Sequence, residues 1–443
     1  MGCKSVIEDD RLRKRVRVIL NWAAEVVAES LATSEIWAPK SPDPELDGGD
    51  SVRPLEKMLS EAALLALLGH RALGYDPSVE RLLDSIEGHH ESLDWIYERI
   101  REDPHLWASG GLVWVVLDSF SRADYVKRTR LRALWNKGIA QPAERLPFRV
   151  LDQAWVEGLA LNRSNAILGS DIYLSTTSLG NLEAGLSMAP RDLYAVTHCA
   201  MYITDFGRHT GPPVAPGWIG PLALARLLAV DLDLVGELTL AEVLLSPASP
   251  HIGALISARN LGVTFDALGY IPGPPASSDS LQKTKYKNDI LRYRNYHPTF
   301  VYGVLCCVVA GRQSKMTIVG DLLTHKNPNT TFELPLSEDA GSLADRIAHH
   351  FQAWLPILDM TNEAYAKQEL LRAIIDAYII EAVNQNRTKD LLALLGMSSV
   401  AGPSSVDLAA RQLLMTRASL AGADDVYVAL RQTGIGDGHS KSS

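Results

Sequence analysis

Four side chains able to move or hold a proton recur along one short segment of the chain: Tyr194, His198, Tyr202 and Asp205, at spacings of four, four and three. An α-helix completes a turn in about 3.6 residues, so this spacing lays all four along one face. A second stripe in the same segment, Leu193, Val196, Ala200 and Ile203, has the rhythm of a core-facing surface. Between Leu193 and Thr204 there is no Lys, Arg, Asp or Glu. A surface helix carries long charged residues on its outer face, so their absence predicts a helix enclosed on most sides, its polar stripe buried or lining an internal cavity.

Burying imidazole, phenol and carboxylate groups costs roughly 1–3 kcal/mol for each one left unpaired. They must therefore bond to one another, to water or to a ligand. His198 titrates near neutrality and a carboxylate can tune it, so His198 and Asp205 form the expected acid–base pair, with Tyr194 and Tyr202 orienting them. The same network could instead serve only to fix helix packing. Arg208 and His209 follow the helix end and are expected at the mouth of the same cavity. A second cluster, Tyr296-His297-Pro298-Thr299, opens an apolar helix; proline pre-sets the first turn, which places His297 at the entrance and able to face His198. Tyr296, His297, Arg208 and His209 are thus the expected substrate-binding set. Arg149 and Asp152, three apart, are expected to pair with each other.

The elements that must position these groups are helical throughout. Apolar residues recur at intervals of three and four, and alternating β-branched runs are nearly absent. Helices are expected near 10–33, 53–73, 78–101, 105–119, 122–138, 148–162, 190–206, 220–230, 235–246, 251–268, 298–312, 341–355, 362–384, 387–396 and 404–420. Pro54 and Pro298 suit first turns, Ser78 an N-cap, and Gly74, Gly207 and Gly269 chain reversals. Short connections between helices of similar length predict an all-α fold of stacked antiparallel hairpins. Without a fixed-period repeat, a closed α/α toroid is favoured over an open solenoid. Residues 1–140 read as N-terminal hairpins continuous with a core region, 141–443, that carries the candidate site. Three stretches interrupt the pattern: the Pro/Gly-rich 37–52, the Tyr/Lys/Arg-rich 270–297, and a tail over 434–443.

Composition narrows the function classes. The formal net charge of −9 over 443 residues argues against a nucleic-acid surface. The basic cluster Arg11 to Arg17 reads as a solvated helix face. Four irregularly spaced cysteines suit a reducing compartment, and with no signal-peptide core or run of about 18 apolar residues the expected location is cytoplasmic, away from membranes. No Walker A, dinucleotide-binding, nucleophile-elbow or zincin motif is present. Asp205-Phe206-Gly207 spells a kinase tripeptide without the motifs that accompany it, and Asp231-Leu232-Asp233 is too degenerate for a terpene-cyclase signature. No cofactor is expected; a zinc site using His198, Cys199, Cys306 and Cys307 is the lesser alternative, since buried cysteines usually act as small hydrophobes.

The segment Tyr194 to Gly207, the phrase Arg145 to Asp152, and Tyr296 to Thr299 together resemble motifs of an uncharacterised bacterial family of helical proteins found around specialised-metabolite gene clusters. The resemblance spans about residues 140 to 310 and implies a biosynthetic setting without assigning any catalytic residue. The expected function is a cofactor-independent lyase, cyclase or hydrolase acting on a small or peptide-derived intermediate. The alternative is a non-catalytic scaffold binding a pathway protein through its concave surface and the 270–297 loop.

Overall fold

The computed structural model describes residues 2–31, 54–103, 106–136, 145–162, 171–212, 217–273, 287–312, 316–324, 341–358, 363–402 and 404–421. Every regular element among them is helical. In chain order these are α1 (Gly2–Ser30), α2 (Pro54–Leu73), α3 (Pro77–Glu87), α4 (His90–Glu102), α5 (Trp107–Ser119), α6 (Tyr125–Asn136), α7 (Pro147–Leu161), α8 (Asp171–Ser175), α9 (Pro190–Ile203), α10 (Ile219–Leu228), α11 (Leu232–Leu245), α12 (Ile252–Leu268), α13 (Lys287–Gly311), α14 (Thr317–Thr324), α15 (Leu343–Trp354), α16 (Glu363–Asn384), α17 (Thr388–Ala401) and α18 (Ser405–Ala421). Residues 37–52, 274–286 and 434–443, where loops and a tail are expected, lie outside the described residues. Among those described, no helix is long and apolar enough to cross a membrane.

Local chemistry explains where the boundaries depart from expectation. The helix expected over 78–101 is two, because Gly88 closes α3 with its N–H on the Asp84 carbonyl and α4 starts at His90. The N-cap of α3 is Asp76 rather than Ser78: its Oδ1 accepts the Ser78 N–H at 3.0 Å, and Pro77 occupies the first turn. Pro298 lies inside α13, not in a first turn. Proline cannot donate to the carbonyl four residues back, that of Arg294. An added Cβ on Gly273 would sit 2.1 Å from that oxygen, so the chain leaving α12 docks where the helical ladder is interrupted. Ile271 N–H donates to Thr299 Oγ1 at 3.0 Å and Gly273 N–H to Asn295 Oδ1 at 2.9 Å, fixing the docked segment.

Six helices pack in a closed circuit: α2 on α13, α13 on α11, α11 on α9, α9 on α7, α7 on α5, and α5 back on α2. Their contacts show one common direction. Glu61 meets His297 and Leu65 meets Gly303; Tyr194 meets Asp233 and Thr197 meets Glu237; Phe148 meets His198 and Trp155 meets Tyr202. Phe120, just after α5, packs on His70 in the last turn of α2. Helix α1 runs against this direction outside the circuit, with Trp22 on Phe300 and Ile19 beside Gly303. All of α11 from Leu232 to Leu244 is buried, so its acidic residues must find partners inside the protein.

One buried cation ties α1 to the circuit. Arg15 Nη1 donates to Leu323 O at 2.7 Å, Tyr302 Oη at 2.9 Å and Gly262 O at 3.3 Å, while Nη2 pairs with Asp266. Three elements, α12, α13 and α14, thereby share one guanidinium. Arg15→Met is expected to lower the unfolding free energy by about 2–4 kcal/mol, since it removes the donors to the Gly262 carbonyl and the Tyr302 hydroxyl and leaves the partly solvated Asp266 carboxylate unpaired. Urea denaturation would show this as a lower midpoint at unchanged slope; a loss below about 1 kcal/mol would mean that apolar packing alone seats α1.

Candidate active site

The circuit closes around a group of ionisable side chains drawn from four of its helices. Glu61 on α2 places Oε2 at 2.9 Å from Nδ1 of His297 on α13. The other ring nitrogen, Nε2, faces two carboxylates of α11, Asp233 Oδ1 at 3.4 Å and Glu237 Oε1 at 3.6 Å. These stand four residues apart and share a helix face. Helix α9 secures their far oxygens: the Tyr194 hydroxyl donates to Asp233 Oδ2 at 2.6 Å, and the Thr197 hydroxyl donates to Glu237 Oε2.

His198 stands beside this group with different surroundings. Its Nε2 is 3.8 Å from Glu237 Oε1, and its buried Nδ1 has no hydrogen-bond partner. Its ring packs among Phe148, Tyr202 and Tyr194, with centroids 5.8, 6.0 and 6.5 Å away. Tyr202 bonds to Asp152, which Arg149 also approaches at 3.3 Å. Arg149 and Asp152 therefore pair as their spacing implies. The His198 and His297 side chains retain 28% and 23% of their accessibility, against 2% for Glu237. The two imidazole side chains are thus partly accessible, whereas Glu237 and the Nδ1 of His198 are sealed.

Charge separates the two histidines. Burial pushes the His297 imidazole down, but Asp233 and Glu61 outweigh it and hold the ring protonated well above its ordinary range. Burial also pushes His198 down, and Glu237 and Asp152 do not reverse it against Arg149 and His297, so this ring is held neutral. Glu237 and Glu61 are lowered despite burial, the former by the two imidazoles and the latter by His297 and Lys57. Burial raises Asp233 and Asp152 in spite of the neighbouring His297 and Arg149 respectively. It likewise raises both phenols, Tyr194 and Tyr202, so each is an un-ionised donor at neutral pH.

Asp205 has a different role from the one its spacing implies. Helix α9 ends at Ile203, and Asp205, Phe206 and Gly207 take left-handed φ values of 45°, 49° and 91°. This turn carries Asp205 out of register with the stripe. Its Oδ1 accepts from Trp155 Nε1 at 2.7 Å and Arg71 Nη1 at 3.0 Å, and its Oδ2 from Arg208 Nη1 at 3.4 Å. The carboxylate beside His198 is Glu237 instead. Arg208 and His209 are exposed, and the His209 carbonyl accepts from Arg312, so these two do not join the His198 cluster. Tyr296 is buried against Phe300 and His297 and acts as packing behind the latter.

Cys199, Cys306 and Cys307 are buried thiols: burial pushes Cys199 and Cys306 up to about 12 and Cys307 upward as well, which disfavours the thiolate that binds zinc. Among the described residues, no group of three or more His, Cys, Asp or Glu side chains is arranged to hold a metal ion. Glu61, Thr197, Asp233 and Glu237 are members of the site that the stripe on α9 does not reveal. The acids of α11 carry the same signal as that stripe, polar residues at spacing four in an otherwise apolar run.

A family model described as a domain of unknown function, DUF6895, matches residues 22–307. The match covers well over half of the chain and includes Glu61, His198, Asp233, Glu237 and His297; the protein belongs to this family. No curated protein and no solved structure matches it.

At pH 7 the ring of His297 is expected to be doubly protonated and that of His198 neutral. The raised value means that the stability His297 contributes is complete below about pH 6.5 and is lost as pH rises through its folded-state value. For His198 the sign reverses: folding opposes its protonation, so stability falls as pH drops below about 6.5. Nitrogen-15 imidazole spectra, assigned with His198→Gln and His297→Gln, check both. Co-titration of the two rings near the ordinary histidine value would overturn the assignment.

Proposed function

We propose that the protein is an acid–base enzyme acting on a small or peptide-derived organic substrate within the helix-enclosed recess of the six-helix circuit, read as the inner layer of an α/α toroid. The observation that carries this reading is His198: a neutral imidazole whose side chain keeps 28% of its accessibility and whose Nε2 stands 3.8 Å from the sealed carboxylate of Glu237. A partly accessible imidazole kept deprotonated beside a carboxylate is equipped to exchange a proton with a bound molecule.

The proton balance needs no further reagent. The accessible part of the His198 ring meets the substrate and takes its proton, and the imidazolium so formed is stabilised by Glu237, 3.8 Å from Nε2. The same imidazolium then returns the proton to the product or to a departing group, as an isomerisation, cyclisation or elimination requires. His297 holds Glu237 and Asp233 in place by charge, and Tyr202 with Phe148 keeps the His198 ring upright. The resemblance to helical proteins of bacterial specialised-metabolite gene clusters supports a cytoplasmic, biosynthetic role.

The test is proton exchange. A small-molecule extract of the source organism, incubated with the protein in D2O, is expected to contain at least one species that gains deuterium or changes mass, followed by mass spectrometry. His198→Gln should slow that change by about 10²- to 10⁴-fold. Asp205→Asn, if it folds as judged by circular dichroism, should leave it nearly intact. The reading fails if no species changes, or if His198→Gln performs as well as the native protein.

A further inference from the structure

Outside the circuit, α15 turns a polar face toward α16. Arg346, His350 and Trp354 stand at spacings of four and so share one side of α15; all three are more than nine-tenths buried. His350 stacks on Trp354, with centroids 4.8 Å apart and planes 17° from parallel, and its Nδ1 stands 3.0 Å from the Tyr378 hydroxyl of α16. The guanidinium of Arg346 lies over the Tyr378 ring, 5.7 Å from its centroid. A ring face supports a guanidinium from one side and leaves its N–H groups, which point outward in the plane, still to be satisfied.

Nothing in the surrounding protein satisfies them. Among the described residues no oxygen accepts from the side chain of Arg346 and no carboxylate stands within 4.0 Å of it. The nearby acids are engaged elsewhere: Asp345 accepts from Ser342 at the helix cap, and Glu381 meets Gln385 and Arg387. His350 brings no negative charge, and its sealed Nε2 also has no hydrogen-bond partner. A buried cation without a counter-ion costs far more than one ring face offsets, so a group from outside the chain is the expected complement. The guanidinium is within reach of one. Its Nε is sealed, but its Nη1 and Nη2 are not, and they contribute to the 8% of its surface that Arg346 keeps. Ala344 and Asp345, just before it, are exposed, so solvent borders this end of the seam.

We propose that Arg346 is the binding site of an oxyanion, a carboxylate or phosphate group, which Nη1 and Nη2 hold while the Tyr378 ring supports the guanidinium from its face. Two N–H donors at a fixed spacing match two oxygens of one group, which favours an oxyanion over a spherical halide. The residues concerned lie beyond 22–307, the stretch that the family model matches, and on other helices than those that form the recess around His198. The site is therefore a second one, and it stands independently of the acid–base reading.

Phosphate, acetate and chloride are the probes, titrated at constant ionic strength into the full-length protein while the nitrogen-15 Nε–H resonance of Arg346, assigned by its loss in Arg346→Lys, is followed. Phosphate or acetate is expected to shift that signal along a saturating curve, at concentrations at least about tenfold below those chloride needs, the advantage of one further charge-assisted hydrogen bond. The tighter of the two identifies the oxyanion. Arg346→Lys keeps the charge but loses the fork, and should weaken the same anion by about tenfold or more as read by calorimetry; Arg346→Gln should abolish the saturable heat. In a zwitterionic buffer of low salt, Arg346→Gln is expected to melt no lower than the native protein, because it removes a buried unpaired charge. A lower midpoint would show that the protein itself neutralises Arg346, and the inference would fall. Equal responses to all three anions, a response that survives in Arg346→Gln, or shifts at the His198 imidazole in place of Arg346 would each overturn it too.

Discussion

The imidazolium of His297, held among Glu61, Asp233 and Glu237, is the interaction on which the site depends. It joins α2, α11 and α13, three consecutive members of the closed circuit, through one ring. Taking these charges out of water carries a desolvation penalty of several kcal/mol per ion, and their mutual attraction offsets it only if the remaining lone pairs are satisfied. Tyr194 and Thr197 do this for the outer oxygens of the α11 carboxylates. An apolar substitute in the same volume could stabilise the fold as well or better. The charged arrangement is therefore better explained by what it holds in place than by the stability it adds.

A second polar anchor lies toward the other end of the circuit. Arg71 on α2, Trp155 on α7 and Asp205 after α9 converge there. Glu61 and Arg71 are ten residues apart on α2, roughly 15 Å along its axis. The two anchors thus fix α2 against its neighbours at two levels, so sliding or tilting of one helix would break one of them. Between the levels lies the stripe of Tyr194, His198 and Tyr202, rigid because both ends of α9 are tied. The left-handed turn at Asp205 to Gly207 belongs to this bracing: it costs local strain, and the bonds from Arg71, Trp155 and Arg208 offset it.

Much of this was legible in the sequence. The three-and-four periodicity defines the all-α class, and the charge-free run from Leu193 to Thr204 marks α9 as enclosed. The rotation of the Tyr194, His198, Tyr202 stripe follows from helix geometry and needs no tertiary information. Asp205 falls outside the stripe because the spacing rule holds only while the helix lasts, and the helix ends at Ile203, two residues before the stripe would be completed. The partners of His198 and His297 were hidden for a different reason. Glu61, Asp233 and Glu237 come from distant parts of the chain, and only ring closure brings them together. Pro298 shows the converse failure: a local rule placed it at a helix start, while docking of residues 271–273 stabilises a continuous helix through it.

The division of labour between the two histidines follows from counting the carboxylates each one meets. Imidazole has the same intrinsic affinity for a proton at both positions, and burial lowers it at both. His297 meets three carboxylates and becomes a fixed cation; His198 feels two, Glu237 at 3.8 Å and Asp152, but Arg149 and the His297 cation oppose them and it stays neutral. A fixed cation organises charge but exchanges its proton poorly near neutrality, while a neutral ring can accept one. The acids of α11, at positions 233 and 237, lie nearer to α13 than to the tip of His198, and that small asymmetry in helix placement is enough to give identical side chains opposite charge at one pH.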